Sequence, residues 1–309
     1  MEKCCCTPMR KKNSDKEELY QFDNKLAKNN HPEVRFREIP GGIAYLGTNT
    51  IVGYEADIET PQYKKAIASY LIDQYAVTNR DFKRFIDDTG YKTDAERFGW
   101  SFVFHLFISE KDKHNVLQVV ENTPWWCVVE GATWKHPMGP DSSIEEMMDH
   151  PVVHVSLNDA NAYCEWAGTR LPTELEWEHA ARGGTIDTIH PWGDELMIDG
   201  EHQCNTWQGK FPLTNTEEDG YLATASVDSY KPNAYGLYNM IGNVWEWCSD
   251  SFCSEIKGYS KQEDPGFKVL KGGSYLCHHS YCNRYRIAAR IGNTKDSSTG
   301  NIGFRVIKR

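Results

Sequence analysis

No apolar run in this 309-residue chain approaches the roughly 18 residues that a bilayer-spanning helix needs, so no membrane association is expected. Basic charge is short too. With 34 Lys and Arg against 44 Asp and Glu, the net charge is −10, which argues against a nucleic-acid partner, whose phosphates call for a basic face. The first 30 residues hold no apolar core of the secretory-leader kind. No N-x-[ST] acceptor with a permitted middle residue occurs anywhere. These absences point to a cytoplasmic protein; an ER-lumenal or secreted chain whose leader has been removed is the alternative. Internal repeats are missing as well, as are low-complexity blocks beyond the N-terminal tail. What is present is an ordinary soluble composition, 39% hydrophobic and 25% charged, with ten Trp and sixteen Tyr that favour aromatic packing and grooves over a plain helical bundle.

Residues 1–32 are polar and lysine-rich and read as a flexible tail; residues 33–309 read as one domain. Cys4, Cys5 and Cys6 read as exposed tail thiols, with acylation a lesser possibility. Glu33 to Tyr54 reads as short strands broken by a Pro-Gly-Gly turn. Three helices carry their own punctuation. Thr78 and Asp81 open one whose stripe is Phe82, Phe85 and Ile86, and Gly90 closes it. Ser156 and Asp159 open a second that Gly168 closes. Thr173 and Glu176 form a capping box, with Gly183 as the stop. Between and after them the chain is rich in Gly, Asn, Pro and Trp. The fold class is therefore α+β with low regular secondary structure, and its long ordered loops invite bound metal ions.

The stretch GGSYLCHHSYC places Cys277 and Cys282 five residues apart with two histidines between. A disulfide is permitted if the loop folds back. Zinc would need four ligands, and adjacent His278 and His279 in extended chain point opposite ways. Two thiolates with nothing else nearby suit Cu(I). Spacing alone leaves disulfide and metal open.

Three segments together, HPVVHVSLNDANAYCEWAGTRLPTELEWEHAARGG, YGLYNMIGNVWEWCSD and KGGSYLCHHSYCNRYRIAARIGNTKDSSTGNIGFRV, resemble the sulfatase-modifying-factor family of formylglycine-generating enzymes. The tail's CCCTPMR is similar to a cysteine-rich stretch before that family's domain. The resemblance implies a formylglycine-generating-enzyme fold related to C-type lectins. It implies oxidation, with O₂ as co-substrate, of the cysteine in a Cys-x-Pro-x-Arg motif of an unfolded or nascent sulfatase, giving Cα-formylglycine and so activating the sulfatase. It also implies that Cys277 and Cys282 hold Cu(I) with a place for a third thiolate, and that Ser274 serves the same site. Structural Ca²⁺ is implied at Asn205, Thr206, Asp219 and Tyr221, and again at Asn239, Gly242, Val244 and Glu246. Trp125, Trp126, Trp245 and Tyr281 are candidates for an aromatic peptide groove.

The chain departs from secretory relatives at two disulfide positions. Ala181 and Ile287 replace one pair, and Cys164 faces Val306 in place of the other, which suits a reducing compartment. A monomer is expected. The competing class is a non-catalytic, lectin-like module that binds sulfatase-type peptides. A further alternative, an iron-dependent C–S bond-forming oxidase, needs a histidine cluster on iron, and no matching His-x₃-His arrangement is expected here.

Overall fold

The structure is a computed structural model that describes residues 6–10, 35–50, 52–252 and 266–309. Four strands open the domain: β1 (Phe36–Ile39), β2 (Gly42–Leu46), β3 (Tyr63–Ile67) and β4 (Tyr70–Asp73). The Pro-Gly-Gly break between β1 and β2 does not make a hairpin. β1 pairs antiparallel with β4, while β2 pairs with β3, so the turn sends the chain from one sheet to another.

The helices stand where their caps place them. In α1 (Asn79–Thr89) the Thr78 side chain accepts from the Asp81 N–H, and Gly90 closes in the left-handed conformation. A short α2 (Asp94–Phe98), with a Thr93/Glu96 capping box, follows. Then come β5 (Trp100–Phe104), β6 (Val116–Val119) and β7 (Trp126–Glu130), which form a three-stranded antiparallel sheet with β7 in the middle. Full capping boxes start α3 (Leu157–Ala167) at Ser156 and, after β8 (Thr169–Arg170), α4 (Glu174–Arg182) at Thr173.

Beyond α4 the strands shorten to two residues in the hairpins β9 (Met197–Ile198) with β10 (Glu201–His202) and β11 (Gly209–Lys210) with β12 (Thr214–Asn215). A second four-stranded sheet has the order β15 (Arg290–Thr294), β14 (Phe267–Lys271), β13 (Trp245–Ser251), β16 (Ile302–Gly303). The last strand, β17 (Ile307–Lys308), returns to the first sheet, where Ile307 lies opposite both Ile72 and Arg170. Few helices and many short strands make this an α+β fold.

The main core lies between α1, α3 and the second sheet. Phe82 and Phe85 are fully buried, each contributing about 1.5–3 kcal/mol of apolar burial. Phe82 stacks on Tyr163 with ring centroids 6.1 Å apart, and Phe85 meets the same ring edge-on at 5.7 Å. This cluster continues without a break into Cys277 and Cys282, so the thiol pair rests on the core. Ala181 and Ile287 are both packed in a second cluster, and Cys164 and Val306 in the first. Cys164 is unbridged, and burial pushes its thiol up to about 12.

Candidate active site

Lys271, Gly272 and Gly273 set the path into the cysteine loop. Lys271 is fully buried at the end of β14 and donates to Glu178 Oε2 at 2.8 Å, which pins the strand to α4. Gly273 has φ +75°, and a Cβ there would stand 2.6 Å from the Arg284 carbonyl oxygen. Only glycine lets the outgoing and returning arms of the loop lie this close. The Cys277 N–H then donates to the Ser274 carbonyl at 2.9 Å and the Cys282 N–H to the His278 carbonyl at 3.0 Å, so each cysteine closes a turn.

Both thiols are buried and unbridged, and they hydrogen-bond one another. Burial opposes charge on Cys277. Hydrogen bonds from Cys282, from Cys6 and from the Ser274 N–H, helped by the Arg284 charge, outweigh it and hold Cys277 well below the ordinary thiol range. Cys282 moves the other way. Burial, its hydrogen bond to Cys277 and the charge on that sulfur keep it protonated well above the ordinary range. The two sulfurs thus titrate as a coupled pair, with Cys277 the more acidic of the two. Ser274 is wholly buried beside them; its Oγ accepts from Asn301 Nδ2 at 3.0 Å and from the Leu276 N–H at 3.3 Å, leaving the hydroxyl proton to donate.

The histidines of the loop turn elsewhere. His278 Nδ1 meets Ser280 Oγ at 2.8 Å, and His279 is exposed. A local zinc set with the cysteines is not formed. One His-x₃-His spacing does occur, at His150 and His154, which corrects the expectation that none would be found. His154 is fully buried with Nδ1 at 2.8 Å from Ser101 Oγ and Nε2 at 2.8 Å from the Pro137 carbonyl. With both ring nitrogens engaged, it has no lone pair to offer a metal.

Above the sulfurs lies a narrow cleft that Cys6 helps to line. Phe211 stacks on Tyr281 with centroids 4.2 Å apart and planes 13° from parallel, and Trp125 meets both rings edge-on. Trp126 and Leu276 complete the apolar wall. Three of the four expected groove aromatics are thus present. Trp245 is not among them: it is fully buried in the main core, because the first four residues of β13 are buried on both faces. Sequence pattern had not singled out Phe211, whose only local mark is the Phe-Pro turn it begins.

Two further groups at the site lie far away in sequence. Arg284 donates to both carboxylate oxygens of Asp57, at 2.5 and 2.9 Å, and through Nη1 to Cys6 Sγ at 2.9 Å. Cys6 itself lines the cleft with Cys277 and Cys282. The expected flexible tail over residues 1–32 therefore has an exception in Cys6–Arg10, where Cys6, Thr7 and Arg10 are all buried. Deep pockets that accept these side chains hold a stretch whose composition alone gives it no reason to be ordered. Cys4 and Cys5 lie outside the described residues.

The two calcium sets differ in fit. In the first, Asn205 Oδ1 is buried with no hydrogen-bond partner. The Asp219 carboxylate is also buried and has no ion-pair partner among the described residues, and burial raises its pKa. An orphaned amide oxygen at Asn205, next in sequence to the Thr206 N–H that donates to this carboxylate at 3.0 Å, fits a hard cation. The Thr206 carbonyl in this set also accepts from Gln208 Nε2. In the second set Asn239 Oδ1 is likewise without a partner. Glu246, however, receives Arg305 at 2.7 and 2.8 Å and Trp177 Nε1 at 2.7 Å, so its charge is already balanced. A close approach is built in here as well, since a Cβ on Gly242 would stand 2.5 Å from the Asn205 carbonyl oxygen.

Comparison with known proteins matches residues 23–309 to the sulfatase-modifying factor enzyme 1-like domain. A formylglycine-generating enzyme of Bos taurus is 50% identical over 279 residues, 89% of this chain and 74% of the bovine one. One of Streptomyces coelicolor is 54% identical over 273 residues, 86% of this chain and 87% of its own. An inactive C-alpha-formylglycine-generating enzyme 2 of Bos taurus is 41% identical, over 89% of this chain and 88% of its own. Among solved structures, PvdO from Pseudomonas aeruginosa superposes with a TM-score of 0.63 at 21% identity, covering 88% of this chain and 93% of that one, a likeness of fold.

Proposed function

This chain belongs to the sulfatase-modifying factor enzyme 1-like family, and from that premise we propose how its thiol pair converts a sulfatase cysteine to formylglycine. The observation that carries the reading is the buried, unbridged pair Cys277/Cys282 at the foot of an aromatic cleft. The conversion is an oxidation. A substrate CH₂–SH, O₂ and two molecules of a thiol reductant give an aldehyde, H₂S, water and a disulfide of the reductant.

We assign Cu(I) to Cys277 and Cys282. Soft sulfur with no carboxylate lining the cleft is the donor set that favours this ion over calcium, magnesium or a closed zinc site. When bound, Cu(I) supplies the one-electron chemistry that a thiol and O₂ lack on their own. The protein's part is positional. Any thiol proton left on the pair must leave when both sulfurs act as ligands. The cleft walls keep water from the sulfurs and grip an extended, proline-containing peptide. Ser274 offers a hydroxyl proton at the same floor. Asn205, Asp219 and the Thr206 and Tyr221 carbonyls would hold a structural Ca²⁺. We place the second Ca²⁺, at Asn239, Gly242, Val244 and Glu246, as the weaker site, because Arg305 already neutralises Glu246.

The client is an unfolded sulfatase polypeptide acted on by a monomer in the cytoplasm, a compartment that suits the apolar packing at Ala181, Ile287 and Val306. A non-catalytic peptide-binding module is the disfavoured alternative, since it gives the thiol pair no task. Purified protein with Cu(I), O₂, a thiol reductant and a Cys-x-Pro-x-Arg peptide should yield an aldehyde that hydrazide trapping and mass spectrometry detect. Cys277→Ser and Cys282→Ser should each abolish it while keeping the circular dichroism of the parent. Normal turnover by either variant would remove the assignment.

A further inference from the structure

Cys6, which lines the cleft, opens the segment Cys6-Thr7-Pro8-Met9-Arg10, a thiol, a proline two positions on and an arginine two beyond that. We propose that this segment is an intramolecular substrate: Cys6–Arg10 fills the peptide site of its own chain, and Cys6 is a site of oxidation to formylglycine. The proposal rests on the reading of the thiol pair given above and extends it to a modification site within the enzyme.

The segment is held at both ends and along its backbone. At one end the Cys6 sulfur meets Cys277, Cys282 and Arg284 Nη1, the place where a third sulfur would be presented to the pair. At the other end Arg10 is 4% exposed. Its guanidinium lies 3.9 Å from the Trp100 ring centroid and 4.3 Å from that of Phe98. Its Nη2 donates to the Trp100 carbonyl at 2.8 Å and to Ser298 Oγ at 3.1 Å, and the carboxylates of Asp296, Asp94 and Asp159 bear on its charge. Between the ends, Asn301 Nδ2 donates to the Cys6 carbonyl at 3.3 Å, Asn293 Nδ2 to the Pro8 carbonyl at 3.3 Å, and the Arg10 N–H donates to Ser297 Oγ at 2.8 Å.

These contacts read a thiol at the first position and a guanidinium at the fifth, and otherwise mostly backbone. A peptide in trans with that pattern competes for the same groups. Arg10 Nε and Nη1 are buried without an acceptor, so the pocket does not satisfy its occupant in full, as suits a segment that must exchange. Only 24 residues join Arg10 to Arg35, the next described residue, so the segment competes as part of the same chain. Outside peptide must displace it, and its apparent affinity falls by the fraction of sites left open.

The reaction at Cys6 balances as for any client. Its Cβ loses hydrogen, the C–S bond breaks and sulfur leaves as H₂S. One O₂ is consumed; one of its oxygen atoms ends in water, and two thiols of the reductant become a disulfide. The aldehyde oxygen completes the count.

Two measurements test this. In the first, metal-free full-length protein, a chain lacking residues 1–10 and the Arg10→Ala variant are titrated with a fluorescein-labelled Cys-Thr-Pro-Met-Arg peptide, and anisotropy is read. The truncated chain should bind at least about tenfold tighter than the full chain, with Arg10→Ala between them. Equal affinity of full and truncated chains overturns occupancy of the site. In the second, full-length protein receives Cu(I), O₂ and a thiol reductant at several dilutions, and the N-terminal peptide is trapped with hydrazide and sequenced by mass spectrometry. An aldehyde at residue 6, formed at a rate independent of protein concentration, is expected. Turnover of added peptide with residue 6 left as cysteine overturns the proposal while the reading of the thiol pair stands. Modification only at high protein concentration overturns the intramolecular route. Failure of both substrates removes the reading of the pair, and the anisotropy series still decides what occupies the cleft.

Discussion

Replacing Arg284 by methionine isolates the electrostatic frame of the cleft from its shape. Arg284 and Asp57 form a bidentate pair in which each side chain is only 7% exposed, and the guanidinium also lies 4.5 Å from the Tyr54 ring centroid. Methionine keeps much of the apolar stem but strands the Asp57 carboxylate. Leaving one partner of a buried pair alone costs about 3–5 kcal/mol, roughly a 10 °C fall in melting temperature for a domain of this size. The second variant, Asp57→Leu with Arg284→Met, removes both charges and should recover most of that loss, because the pair's attraction largely offsets its own desolvation. The pH dependence carries a sign. Burial raises the Asp57 pKa above 3.8, more than the Arg284 hydrogen bond and charge lower it. For an acid with a raised folded pKa, the penalty appears as pH climbs past the unfolded value and is complete above the folded one. Without Arg284 that folded value rises further, so the single variant's defect should be larger at pH 8 than at pH 5. Urea unfolding followed by tryptophan fluorescence at both values measures it. A loss below about 1 kcal/mol, or a double variant less stable than the single, refutes the reasoning.

Other outcomes follow from separate parts of the molecule. If Ca²⁺ occupies the Asn205/Asp219 set at a hundred times its dissociation constant, chelation removes about 2.7 kcal/mol and lowers the melting temperature by roughly 5–10 °C. The Asp219→Asn variant should respond less to chelator than the parent, any remaining shift coming from the weaker second site, and an unmoved parent would remove the cation. Gly273→Ala meets both a positive φ and the Arg284 carbonyl, so it should cost at least about 2 kcal/mol and abolish aldehyde formation; a normal melting curve and activity would contradict this. His154 is held neutral by burial, with a folded pKa of about 4 against 6.5 unfolded. Its depressed value means stability is complete above pH 6.5 and is lost as pH falls toward 4, by about 2 kcal/mol at pH 5. His190, also lowered to about 4, adds a loss of the same sign, so the comparison of parent with His154→Gln isolates the first. Parallel curves for the two would sink it.

How much of this was legible follows from the range over which each feature is decided. Caps act within four residues, so Thr78, Ser156 and Thr173 mark real helix starts, and only the five-residue α2 goes unread although Thr93 and Glu96 spell its capping box. Sheet partners are decided elsewhere. Nothing in β1 or β2 says that the first seeks β4 and the second β3, and β17 joins the opening sheet from the far end of the chain. The two-residue strands carry no periodicity to find. In the site the cysteines are readable because five residues of spacing confine them to one loop. Trp245 is misread because a strand buried on both faces has no alternation to show which side meets a cleft.

Arg284 and Cys6 show the deeper limit. Arg284 matters through Asp57, 227 positions away, and through a sulfur 278 positions away. Cys6 sits in a stretch whose lysines and polar residues dominate any average, so composition calls it a tail. Yet order there is decided by five side chains and by what waits for them: two sulfurs for the thiol, two aromatic faces for the guanidinium, asparagine amides for the carbonyls. The pattern that would have revealed it is the same Cys-x-Pro-x-Arg run that the family resemblance implies for the client. A substrate rule derived from an enzyme's site therefore applies first to the enzyme's own sequence, because a tethered match reaches the cleft before any client does.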